Sequence, residues 1–171
     1  LELVRFINMH KSHLKEFNVL DFGCGTGLLG QELYKFNSKM QLTGVDISEN
    51  MLDKSRERNM YSKLLCLDIT KETDHMEALT KLDAPDDGFN LVMSCGVFLE
   101  GHVSLVEIDR MLLKLVKQGG IFAFTVRDSF MELEKEFIIK LQQNKEITIL
   151  TKNRINYLKD VDAWAIIIKR L

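Results

Sequence analysis

Three of the ten glycines in this 171-residue chain, Gly23, Gly25 and Gly27, crowd together just after the apolar run Asn18–Phe22 (NVLDF). Backbone without side chains lets a bound molecule come close to the chain. Asp21 stands two residues before that loop. An acid there suits a ligand with an ammonium group better than a pyrophosphate, which prefers bare helix-end amides. Two more acids close later apolar runs, Asp46 at the end of Gln41–Asp46 and Asp68 at the end of Leu64–Asp68 (LLCLD). At the second position a carboxylate can accept two hydrogen bonds from a ribose diol. At the third it can accept one from an exocyclic amine such as that of adenine. Cys95 and Gly96 close and follow a fourth run, Asn90–Cys95 (NLVMSC).

These residues work together only if their runs are neighbouring strands. Leu3, Val4, Ile7, Lys11 and Leu14 are spaced for an amphipathic helix ahead of the first strand. After the glycines, Leu29, Leu33 and Phe36 give the next helix a core face. Ser48 is placed to cap a helix over Glu49–Met60, with Glu49 at its positive end. Thr70–Asp87 reads as polar and irregular, with one helical turn around Met76–Leu79. Ser104 and Glu107 form a capping-box pair for a helix to Lys117, stopped by Gly119 and Gly120. Ile121–Val126 is a fifth strand. Ser129 and Glu132 suggest a second capping box, for a helix carrying Phe130, Leu133, Phe137 and Leu141.

Two closing strands, near Ile147–Lys152 and Trp164–Lys169, are joined by Asn156–Asp162, too short for a helical crossover, so they pair antiparallel. Strands alternating with helices give an α/β fold: a Rossmann-like, doubly wound, mostly parallel seven-stranded sheet with an antiparallel C-terminal hairpin. In such a sheet the ligand crevice lies beyond the carboxyl ends of the strands, where all the residues above converge.

Composition sets the outer bounds. One domain over residues 1–171 is the expectation, with an upstream segment removed because the chain starts at Leu1 inside a helix. Lys and Arg total 23 against 25 Asp and Glu, a formal charge of -2, which argues against nucleic acid as the main partner. No apolar run reaches the ~20 residues that a membrane helix needs. Cys24, Cys66 and Cys95 show no CxxC and no metal-ligand spacing, so no metal is expected, and reduced thiols point to a cytoplasmic protein.

The segments VLDFGCGTG (Val19–Gly27), GVDIS (Gly44–Ser48), LDIT (Leu67–Thr70), FNLVMSCGVFLEGHV (Phe89–Val103) and LLKLVKQGGIFAFTVR (Leu112–Arg127) resemble the class I S-adenosylmethionine-dependent methyltransferases. More narrowly, GVFLEGHV and TVR resemble the methyltransferase-like proteins of the Williams–Beuren chromosomal region. The resemblance implies a cofactor, S-adenosylmethionine, with S-adenosylhomocysteine as product. It implies that Asp21, Gly23, Cys24, Gly25 and Gly27 hold the methionine end, with Asp21 and the Gly23 backbone on its amino group. Asp46 would hold the ribose, Ile47 and Met51 would pack near adenine, and Asp68 and the Ile69 amide would meet the adenine ring. Cys95 and Gly96 would line the methyl end. Asn90 departs from the acid that many relatives carry there.

Other readings stay beside this one. Asp46 and Asp68 could simply cap the next turn of chain, and the cysteines could simply pack. His102 is a candidate base or part of a turn with Gly101. Arg127 and Asp128 overlook the crevice and either contact an acceptor or pair with each other on the surface. Gly25, Gly27 and Gly30 fit GxGxxG, which keeps a NAD-dependent oxidoreductase as a rival. That fingerprint should begin at the strand end, where Phe22–Gly23–Cys24 intervene. A non-catalytic cofactor-binding module or partner subunit is the second rival. Neither an Asp/Asn-Pro-Pro-aromatic motif nor a Pro-Cys pair is present, so the expected methyl acceptor is a small molecule first and a protein second.

Overall fold

A computed structural model describes residues 2–10, 18–72, 74–158 and 161–171. Helix α1 (Glu2–Met9) buries Leu3, Val4 and Ile7; Lys11 and Leu14, expected to extend it, lie outside the described residues. Then come β1 (Asn18–Phe22), α2 (Leu28–Tyr34), β2 (Gln41–Asp46), α3 (Glu49–Arg56) and β3 (Lys63–Cys66). A short 3-10 turn, Ile69–Lys71, precedes α4 (His75–Lys81) and β4 (Phe89–Phe98). Helix α5 is a π-wound segment, Ile108–Leu112, running into a single turn, Leu113–Leu115. The chain closes with β5 (Val116–Arg127), α6 (Asp128–Leu133), α7 (Lys135–Gln143), β6 (Ile147–Leu158) and β7 (Val161–Arg170).

The seven strands form one sheet in the order β3-β2-β1-β4-β5-β7-β6. The first five pair in parallel. β7 returns antiparallel between β5 and β6. This is the Rossmann-like α/β fold expected from the run of strands and helices. One apolar layer packs Leu3, Val4, Ile7, Leu29 and Leu33 from α1 and α2 against the sheet. The opposite layer takes residues from α4, α5, α6 and α7 and includes Phe98 edge-on to Phe122 and Phe124. With both faces covered, the site must form at the strand ends.

Several local expectations are corrected. α3 stops at Arg56, and Met60 is buried from the loop beyond it. Phe36 lies past the end of α2 and is 54% exposed, so it is no part of that helix's core face. Ser48 makes no side-chain cap; its N–H instead donates to Asp46. β3 ends at Cys66, leaving Asp68 to cap the 3-10 turn. The segment after it holds a full helix, α4, capped by Asp74, whose side chain accepts from the Met76 N–H.

Ser104 does accept from the Val106 N–H, but Glu107 turns to Arg110 rather than completing a box. The helix gives way at Val116, which already pairs with Phe89, so Gly119 and Gly120 belong to an irregular start of β5. The second capping box is absent: Ser129 sits inside α6, and the expected single helix breaks at Glu134 into α6 and α7, with Leu133 exposed. Asn156 and Asp162, expected in the connection, pair with each other across the hairpin.

Candidate active site

The parallel pairing sets Asp21, one residue short of the end of β1, beside Gly44, and Asp46, the last residue of β2, beside Cys66, so both acids reach one end of the sheet. The glycine loop leaves β1 there, with the N–H groups of Gly23 and Cys24 both donating to the Val45 carbonyl at 2.8 and 3.0 Å. Gly25 sits at φ +54°, and a Cβ built on it would have nothing within 4 Å. Its backbone faces open space, as a surface made for close approach by a ligand should.

Asp46 fixes this loop. Its Oδ2 accepts the Gly25 N–H at 2.8 Å, and its Oδ1 accepts the Ser48 N–H at 2.9 Å. Each oxygen keeps a lone pair for a further donor. The Gly25 carbonyl accepts the Ser55 hydroxyl at 2.8 Å, tying the loop to α3. Beside Asp46, Ile47 is 72% and Met51 42% exposed, an apolar shelf next to a carboxylate.

Asp21 is 1% exposed and accepts the Tyr61 hydroxyl at 2.6 Å. Burial pushes its carboxyl up to about 7 against the lowering influence of that bond. The Tyr61 ring lies under Gly27, Gly30 and Gly44, where any Cβ would strike it. This accounts for Gly30, the residue that makes the loop spell GxGxxG: it admits an aromatic ring between α2 and β2. Cys24 turns its thiol inward onto Gly44, and burial raises its proton affinity.

Asp68 caps the 3-10 turn: its Oδ1 accepts from the Thr70 N–H and hydroxyl, and Lys71 stands 3.3 Å from Oδ2. The Thr70 bonds, with Lys71, hold its carboxyl below the usual range. The Ile69 side chain is buried in the core, so only its main chain can meet a ligand.

The far side of the cleft comes from β4, β5 and β6. Gly96, at φ +79°, has the Tyr157 hydroxyl 2.5 Å from where its Cβ would be, and only glycine leaves room for it. The Gly96 N–H donates to Thr125 Oγ1 at 3.1 Å. That hydroxyl donates to Cys95 Sγ at 3.6 Å, and the Cys95 thiol donates to Tyr157 Oη at 3.8 Å. His102 is exposed, in a turn where its N–H donates to the Leu99 carbonyl. Arg127 and Asp128 do not pair with each other: Asp128 accepts from Trp164 Nε1 at 2.8 Å and from Arg154 at 2.7 Å.

Tyr61, Ser55, Thr125 and Tyr157 carry much of this geometry; Thr125 falls in the TVR segment with no site role expected of it, and no motif announced the other three. Among the described residues, no group of three His, Cys, Asp or Glu is placed to hold a metal ion, and no helix is long and apolar enough to cross a membrane.

A family model for the methyltransferase domain matches residues 13–164 of this chain, and the chain belongs to that family. An uncharacterized methyltransferase of Schizosaccharomyces pombe is 30% identical over 112 residues, covering 60% of this chain and 36% of that protein. The ubiquinone biosynthesis O-methyltransferase of Coxiella burnetii is 33% identical over 118 residues, 68% of this chain and 47% of that protein. The chain thus spans less than half the length of these curated relatives. Among solved structures, a S-adenosylmethionine-dependent methyltransferase from Clostridium acetobutylicum shares the fold, with TM-score 0.70 at 16% identity over 99% of this chain and 91% of that one.

Proposed function

We propose that this domain binds S-adenosylmethionine and transfers its methyl group to a small-molecule acceptor. The carrying observation is Asp46, a carboxylate pinned to the glycine loop by the Gly25 N–H with lone pairs to spare. The residues present suit the cofactor: open backbone at Gly25, a buried acid for an ammonium, a carboxylate for a diol and an apolar shelf for a base. Bound there, the cofactor supplies a methyl group on a positively charged sulfur, open to in-line attack by an acceptor atom.

Asp21 and the Gly23 carbonyl hold the amino group, since the Gly23 N–H is already spent on Val45. Gly25 and Gly27 admit the amino-acid tail, with Cys24 packing beneath it. Asp46 takes the ribose hydroxyls. Ile47 and Met51 cover the adenine, and Asp68 with the Ile69 amide meets its edge, the Asp68 Oδ2 turning from Lys71 to do so. Cys95 and Gly96 line the methyl end.

The chain's remaining task is to hold the acceptor in line and keep water out, and positioning of this kind lowers a barrier without an elaborate set of acids and bases. His102 serves as base for an acceptor that arrives protonated. The three free cysteines, of which Cys66 is exposed, favour a cytoplasmic setting. The narrower kinship with the Williams–Beuren group rests on Gly96–Val103 and Thr125–Arg127.

Calorimetry with S-adenosylmethionine, S-adenosylhomocysteine and NAD tests the reading. Binding of the first two and not the third is expected, followed by methyl incorporation into a component of a cell extract. Binding of NAD alone would overturn the assignment. Cofactor binding with no methylated product would turn it into a binding module.

A further inference from the structure

Between α1 and the β6–β7 hairpin lies a cavity of about 210 Å³, lined by Cys95, Thr125, Ile155 and Tyr157 and by Glu2 and Arg5 of α1. It opens at the end of β4 and β5 where the methyl end of the cofactor is placed above. Two of the polar groups around it, the Arg5 guanidinium and the Tyr157 hydroxyl, have donors to offer a ligand. Because Tyr157 Oη accepts from the Cys95 thiol, its own proton is left for whatever enters the cavity. Burial pushes this hydroxyl up to about 12, with the charge of Arg127 acting against the rise, so it stays protonated near neutral pH.

Arg127 lies two residues beyond cavity-lining Thr125, on the same face of β5. It pairs with Ala163, which pairs in turn with cavity-lining Ile155. Its Nε is buried and meets no hydrogen-bond partner among the described residues, and its neighbour Asp128 is engaged by Trp164 and Arg154. A buried guanidinium N–H without an acceptor is costly. Arg127 stands just behind the lining residues, and its terminal guanidinium nitrogens, which keep some exposure and likewise meet no partner among the described residues, are the atoms that a ligand oxygen can reach.

We propose that the cavity takes the methyl acceptor by a carboxylate, gripped by Arg127 and the Tyr157 hydroxyl; this rests on the methyl-transfer reading above. A planar guanidinium matches a carboxylate in shape as well as charge. A cationic acceptor would meet Arg127 and Arg5, and a neutral one would leave the Arg127 guanidinium with a weaker partner. Glu2 at the rim repels a doubly charged phosphate more than a singly charged carboxylate.

The test titrates the protein loaded with S-adenosylhomocysteine with benzoate and hexanoate, and with benzamide, hexanamide and phenyl phosphate. Each acid should bind about tenfold or more tighter than its amide. Arg127→Gln should erase that preference while affinity for S-adenosylhomocysteine changes by less than about twofold, and Tyr157→Phe should reduce it by less. If Arg127→Gln fails to fold, Arg127→Lys, which keeps the charge without the planar fork, should show a weakened preference. Equal binding of acid and amide, no binding of any probe, an undiminished preference in the variants, or tighter binding of phenyl phosphate than benzoate would overturn the proposal. Failure to bind S-adenosylhomocysteine would instead sink the methyl-transfer reading, and acid and amide can still be compared on the unliganded protein.

Discussion

The two halves of the sheet build their parts of the cleft differently. In the half made of β1, β2 and β3, the functional groups are main-chain amides and strand-end carboxylates, and Asp46 locks them together. In the half made of β4, β5 and the hairpin, hydroxyls and a thiol from distant parts of the chain meet across the sheet, and the buried Arg127 Nε has no partner among the described residues. The first half offers carboxylate acceptors held by the main chain; the second offers the Tyr157 hydroxyl and, just behind it, the Arg127 guanidinium. The contrast fits one half holding an invariant cofactor and the other an acceptor that sets specificity. Substitutions in the first half should therefore move cofactor affinity, and those in the second, away from Cys95 and Gly96, should spare it.

Gly25→Val should have the largest effect on cofactor affinity. The residue is at φ +54° with nothing within 4 Å of a Cβ, so valine strains the loop and fills the ligand's approach without striking the core. Calorimetry should detect no binding while circular dichroism shows a folded protein. Retained affinity would mean that the loop is not the cradle.

Asp46→Ala comes next. It removes a charged acceptor and unhooks Gly25, and should weaken cofactor binding by about 1.5–3 kcal/mol. An unchanged dissociation constant would place the ribose elsewhere.

Asp21 gives a pH signature. Its carboxyl is raised from 3.8 to about 7, so it is largely neutral below that pH and charged above it. Affinity for a ligand ammonium should rise as pH climbs from 6 to 8, by up to about tenfold. In the free protein the same shift acts on stability with the opposite sense. Between 3.8 and about 7 the folded state keeps a proton that the unfolded chain has released, so stability falls across that window and the cost stays in full above it. Asp21→Asn should flatten both profiles. A cofactor affinity independent of pH in the parent protein would remove Asp21 from the ammonium site.

His102→Ala, in the acceptor half, should leave cofactor affinity unmoved and lower turnover. Equal loss of both would return His102 to a structural part of its turn.

The same contrast governs how much could be read from the residues alone. β1 and β2 each carry an acid at or next to the end of an apolar run, and the glycines follow β1 at once, so local pattern displays both fold and cradle. Tyr61 and Tyr157 have no such signature. They stand 40 and 62 positions from Asp21 and Cys95, the groups they touch, and only the sheet order brings them there. Helix limits failed for a related reason. Ser48 and Ser129 look like caps in sequence, but the Ser48 amide is drawn to Asp46, and Ser129 lies within a helix that begins one residue earlier. Gly30 is legible as a glycine, and its cause, the ring of Tyr61, is not.

Because the Asp46 carboxylate already clasps the amides of Gly25 and Ser48, the cradle is shaped before any visitor arrives. The entropy lost in ordering that segment belongs to folding and is not charged again at docking. Capture should accordingly be fast, limited by encounter rather than rearrangement, and the loop amides should resist hydrogen exchange about as well in the free protein as in the complex.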